Sequence, residues 1–137
     1  MIIAPGRRWR PRRGLVGEQA LEQLTALLDG SRAQVLAIVG DAFALPMVRA
    51  LDAGRPDGGP YDASSVRSIC SAGVAWSAHL KERLLDHMPR AMLFDACGAS
   101  EGCSYGIRQV RHGDAAATAN FDPAPGLKIL GPDGEEL

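Results

Sequence analysis

The sequence predicts an α/β fold: a partial parallel sheet with covering helices in βαβαβ order, followed by short antiparallel strands. Three observations carry this expectation. Short runs, "QVLAIV", "VRSICSAG" and "AMLFDA", have the length of strands, and the first is rich in β-branched residues. Segments with helical spacing of apolar residues lie between them, and such alternation builds a parallel sheet with helices packed on it. After the third run the spacing shortens and no further helical pattern follows, which suits antiparallel pairing.

The elements follow in order. "MIIAPGRRWRPRR" carries five arginines and no acid. Like-charge blocks of this kind are commonly solvated tails, so residues 1–16 are expected to lie outside the fold as a basic, disordered tail. The domain is expected over 17–137. Clustered arginine also suits phosphate, which keeps a nucleic-acid or lipid-headgroup arm as the alternative. The net charge of −1 argues against a polyanionic partner, and no nucleic acid is expected. Pro5 and Pro11 deny the tail a regular helix. Residues 18–28 place Leu21, Leu24 and Leu28 on one helical face, stopped near Gly30.

"QVLAIV" (34–39) is expected as a strand buried on both faces. Residues 42–51 read as a helix in which Pro46 lies near the first turn or kinks it. Residues 52–65 are dense in Gly, Pro and Asp and read as a floppy surface loop. The second strand spans 66–73. Over 77–88, Ser77 can cap a helix whose face is Leu80, Leu84, Leu85 and Met88. A third strand is expected over 91–96 and a fourth over 105–113. The tail from Gly126 reads as strand, turn and strand, with the turn at Pro132–Gly134. Its last strand stops as it starts, which suggests a chain cut inside a larger fold.

Aromatics make up only 5% of the chain, so its core must rest on aliphatic residues and alanine. No apolar run is long enough to span a bilayer, and no secretory leader pattern is present. Three cysteines, Cys70, Cys97 and Cys103, are an odd number. That fits a reducing compartment, and the chain is expected in the cytoplasm.

Chemistry concentrates in "DACGASEGCSYG" (95–106). A zinc site is disfavoured, because Cys97 and Cys103 are six apart and no second close pair exists. A Cys–His nucleophile has no support in spacing. Two readings stay open at this point: an ordinary turn, and a phosphate cradle. Open α/β sheets bind ligands beyond the carboxyl ends of their strands, and this stretch follows the strand "AMLF". Gly98 and Gly102 let backbone N–H groups approach an anion, and Ser100 adds a hydroxyl. Glu101 is suited to Mg²⁺, a hard cation that bridges carboxylate and phosphate oxygens. It is not a Walker loop, since no Lys–Ser/Thr pair follows the glycines. The turn "SAGVA" (71–75) leaves the neighbouring strand of the same sheet and is expected to face the same pocket.

Several ordered segments together resemble the adenylate-forming superfamily, in its fatty-acid–CoA ligase (acyl-CoA synthetase) branch. "SSVRSICSAGVAWSAHLKERL" resembles the segment with the "GGAPLS"-type turn, and "DACGASE" resembles the "YGxTE" signature. "DPAPGLKILGPDGEEL" and "VLAIVGDAFALPMVRAL" are similar to flanking family stretches. The resemblance covers roughly residues 33–137. It implies part of the family's large N-terminal, AMP-binding domain. It also implies the reaction class: ATP activates a fatty or other carboxylic acid to an acyl-adenylate, and CoA then takes the acyl group. The implied cofactors are ATP/AMP, Mg²⁺ and CoA. By position, Ser100 would contact the AMP phosphate and Glu101 would hold Mg²⁺. Gly73, Val74 and Ala75 would lie along the adenine and the acyl tunnel. The backbone of Asp95 and Ala96 would meet the adenine amino group, with Cys97 and Gly98 beside it.

Two departures bear on function. Cys97 stands where the signature has tyrosine, and losing a stacking face is worth ~1–3 kcal/mol per base. The upstream loop ending in "PKG", the "TGD" aspartate and the domain with the catalytic lysine have no counterpart in this sequence. The chain is therefore expected to be incomplete for catalysis alone, and no catalytic residue is assigned. The alternative is a non-catalytic nucleotide-binding or protein-interaction module. A truncated sheet also predicts self-association through exposed edges.

Overall fold

The computed structural model describes residues 3–4, 7–8, 32–100 and 103–136. The helix expected over 18–28, most of the basic tail, and Glu101 lie outside the described residues.

Nine elements are described: β1 (Ile3–Ala4), β2 (Arg7–Arg8), β3 (Val35–Ile38), α1 (Gly40–Ala53), β4 (Ser68–Ala72), α2 (Ala78–His87), β5 (Met92–Ala99), β6 (Cys103–Arg111) and β7 (Asp122–Pro123). They form one mixed sheet in the order β2-β1-β3-β4-β5-β6-β7. β3, β4 and β5 are parallel, joined by α1 and α2, and β6 and β7 continue antiparallel. This is the α/β architecture expected from the alternation of runs.

Register explains the core. Leu36, Ile69, Leu93 and Val110 stand side by side across four strands. All four are fully buried, in one cluster with Ala44, Met47, Val48 and Leu51 of α1 and Leu80, Leu84 and Leu85 of α2. Both crossovers step the same way along the sheet. The right-handed rule for parallel connections then sends both helices to one face.

The opposite face carries Val35, Ala37, Cys70, Ala72, Met92, Phe94 and Ala96. Val35 is 37% exposed, and no described element covers this side. The expectation that the first strand is buried on both faces is therefore corrected. Its residues alternate, Val35 and Ala37 out, Leu36 and Ile38 in, because only one layer of helices packs on the described sheet.

Further local differences have physical reasons. Pro46 lies well inside α1 rather than in its first turn, where its missing N–H removes one helical hydrogen bond. The loop after α1 is not floppy. Arg55 N donates to Gly59 O at 2.7 Å, Ser64 N donates to Asp62 Oδ1 at 2.9 Å, and Ala63 and Val66 are buried. The expected C-terminal strands reduce to one bridge, Leu130 with Glu136, around the turn at 131–134. Instead β7 pairs with β6, and close approach is the reason Gly106 sits there. A Cβ on Gly106 would lie 2.7 Å from Asp122 O. Between the helices, Arg83 and then His87 bond Asp52 Oδ1, at 2.6 and 2.7 Å, and hold that carboxyl below its ordinary range. No described helix is long and apolar enough to cross a membrane.

Candidate functional site

β4 and β5 are parallel neighbours, so their carboxyl ends open at the same edge of the sheet. The pairing of the two stops at Ala72 with Ala96. Beyond that point β5 runs on with β6 as its partner, through a register shift between Cys97 and Gly98. Such a bulge bends the strand and re-aims its backbone.

The ends diverge around a cleft of about 380 Å³ lined by Ala72, Gly73, Ala96, Cys97, Gly98, Ala99, Ser100 and Ser104. Five of the expected residues, Gly73, Ala96, Cys97, Gly98 and Ser100, meet in it. Gly73 has φ +89° and open space where a Cβ would stand, a conformation that suits glycine. The lining is small, so backbone groups are within reach of a ligand, and Ser100 and Ser104 supply hydroxyls. Small-molecule sites are commonly concave spaces of about this size.

Three expected residues that the structure describes, Val74, Ala75 and Asp95, are not in the lining. Val74 is 53% exposed on the outside of its turn. The carbonyls of Val74 and Ala75 turn back onto α1, 2.8 and 2.6 Å from where a Gly40 Cβ would be. Asp95 points to the covered face, only 2% exposed, and its Oδ2 lies 2.7 Å from Lys81 Nζ. Glu101, the expected magnesium ligand, lies outside the described residues. Among the described residues no group of three or more His, Cys, Asp or Glu is placed to hold a metal ion.

Sequence reasoning missed Ala72, Ala99 and Ser104. Ser104 is legible once "CGASEGCS" is read as a hairpin, because Gly98 pairs with Ser104 and Ala99 with Cys103. The hairpin returns the second serine to the same cleft lining as the first.

The turn beside the cleft is held by a small polar framework. Gly40 N donates to Ser71 Oγ at 2.9 Å, Asp41 N to Ala75 O at 3.4 Å, and Ser77 N to Asp41 Oδ1 at 2.8 Å. The first amides of α1 are thus spent on Ser71 and Ala75. The Ser77 hydroxyl does not cap α2, contrary to expectation. Asp41 and Thr118 take that role from other elements. Ala78 N donates to Thr118 Oγ1 at 2.9 Å, and the Asp41 carboxylate sits favourably at the amino end of α2.

The chain is 38% identical over 76 residues to a 3-oxocholest-4-en-26-oate–CoA ligase of Rhodococcus rhodochrous, which is 55% of this chain and 14% of the relative. It is 34% identical over 101 residues to a medium/long-chain-fatty-acid–CoA/3-oxocholest-4-en-26-oate–CoA ligase of Mycobacterium tuberculosis, covering 74% of this chain and 18% of that one. The chain corresponds to a partial segment of an adenylate-forming, acyl-CoA ligase superfamily member. It spans less than a fifth of the length of these two ligases. No family model matches it. Its fold is that of the superfamily's solved structures. An anthranilate CoA ligase bound to anthranoyl-AMP superposes with a TM-score of 0.63 at 19% identity, covering 89% of this chain and 22% of the ligase.

Proposed function

We propose that this acyl-CoA ligase segment binds AMP, or the AMP moiety of an acyl-adenylate, in the cleft between Gly73 and the Ala96–Ser104 hairpin. The observation that carries the reading is the convergence of Gly73, Gly98 and Ser100 at the carboxyl edge of two parallel strands. Open α/β sheets take ligands at that edge. In this reading the Ser100 hydroxyl donates to a phosphate oxygen and Gly98 lets the backbone approach. Glu101 holds Mg²⁺ against the same phosphate. The acid activated by the complete enzyme is a fatty or other carboxylic acid, and CoA is the acceptor.

Calorimetric titration with AMP, with and without Mg²⁺, tests the proposal. Binding is expected, with Ser100→Ala weakening it about tenfold, the loss of one hydrogen bond to a charged group. Glu101→Ala should remove the magnesium dependence. A chain that takes up no AMP under either condition refutes the reading.

A second reading is favoured by the bare sheet face, on which Val35, Ala37, Cys70 and Ala72 are exposed. Parallel strands are normally covered on both sides. In this reading the chain is an interaction module whose bare face stacks on a second copy. The outermost described strands, β2 and β7, have two residues each, so the face offers more to a partner than the edges.

A further inference from the structure

We propose that Lys81 is a positioning residue for the cleft, acting through Asp95. Lys81 belongs to α2 and is fully buried. Its Nζ lies 2.7 Å from Asp95 Oδ2, donates to Ala117 O at 2.6 Å, and sits 5.7 Å from the ring centre of the buried Trp76. The Asp95 contact is close but not aligned as a hydrogen bond, so its attraction is that of two charges.

A buried ion pair contributes little net stability, because desolvation offsets the attraction. The apolar contacts of Leu80, Leu84 and Leu85 already place α2 in the core. What the pair adds is a fixed point. Asp95 is the residue before Ala96, where the pairing of β5 with β4 ends. From Cys97 onward the strand is held by β6 alone, across the bulge. Lys81 pins the position next to the last two-sided one, and the segment beyond, Cys97–Ser100, forms the cleft wall. The same ammonium ties in Ala117, so helix, strand and the β6–β7 connection meet at one atom.

The identity of the ligand rests on the AMP reading above, but the pinning does not, and Cys97 reports on it directly. The experiment uses the full chain with Cys70→Ser and Cys103→Ser, which leaves Cys97 as its single thiol. Lys81→Met and Lys81→Met/Asp95→Leu are compared with this parent by thermal melting, iodoacetamide alkylation of Cys97 and AMP titration. Lys81→Met leaves a buried carboxylate unpaired and should lower the melting temperature. The double variant should recover it, since an apolar pair of similar volume replaces the ions. It should nonetheless alkylate about tenfold faster than the parent, as local opening becomes easier, and bind AMP more weakly. A double variant that melts like the parent and also alkylates like the parent overturns the proposal, because the pair then only packs. One that fails to fold overturns it as well, because the pair is then required by the fold itself. If the parent binds no AMP, the nucleotide reading fails, while the alkylation rates still decide the role of Lys81.

Discussion

Gly40 carries a constraint that no other residue type meets. Its φ of +46° lies in the left-handed region, and a Cβ would stand 2.6 Å from Ala75 O and 2.8 Å from Val74 O. Both obstacles are backbone, so neither rotates away. Gly40→Ala should therefore destabilise the chain by about 2–4 kcal/mol, the strain of the left-handed region added to that of overpacking. Urea unfolding measures it, and a loss under about 0.5 kcal/mol, the range of surface changes, counts against the tight turn described here. AMP binding, where present, should weaken in parallel, because the displaced turn contains Gly73.

The amino end of α2 depends on a residue from a distant element. Ala78 N donates to Thr118 Oγ1, forty residues on. Thr118→Val keeps the shape and removes the acceptor, and should cost about 0.5–1 kcal/mol, the lower half of the usual cap effect because water reaches the site. Thr118→Ser should keep most of it. Equal melting temperatures for the valine and serine variants would exclude the cap. This dependence also shows why part of the fold was hidden in the sequence. Ser77 stood at the right position for a cap, and helical spacing over Leu80, Leu84 and Leu85 placed α2 correctly. Which hydroxyl caps it is settled by tertiary contact. Short apolar runs placed β3, β4 and β5, and period-3.6 spacing placed α1 and α2, but the one-sided burial of β3 depends on which layers pack on the sheet. β7 escaped notice, since Asp122–Pro123 has no apolar pattern and pairs by proximity to Gly106. At the cleft, Gly73, Gly98 and Ser100 were legible from strand ends and glycines. Asp95 was legible as a neighbour, but the direction of its side chain depends on strand register, which places it beside Ser71 on the covered face.

At the scale of the molecule, the sheet has a packed side and a side that no described element covers. The bare side holds small residues along β4, Ser68, Cys70 and Ala72, beside larger Met92 and Phe94 on β5. This valley and ridge can interlock with the same surface turned about a two-fold axis, as an isologous interface requires. Sedimentation velocity should show association in the micromolar range, and Phe94→Glu should shift it to monomer by placing a charge in the contact. A parent chain that stays monomeric throughout that range rules out the second copy. The bare face also leaves a calorimetric mark on the monomer. Its exposed apolar atoms, on Val35, Ala37 and Ala72, are already hydrated in the native state, so unfolding adds less new apolar hydration than usual. The heat-capacity increment per residue should fall below the common ~12–15 cal/mol/K, and the stability curve of the lone chain should be correspondingly flat with temperature.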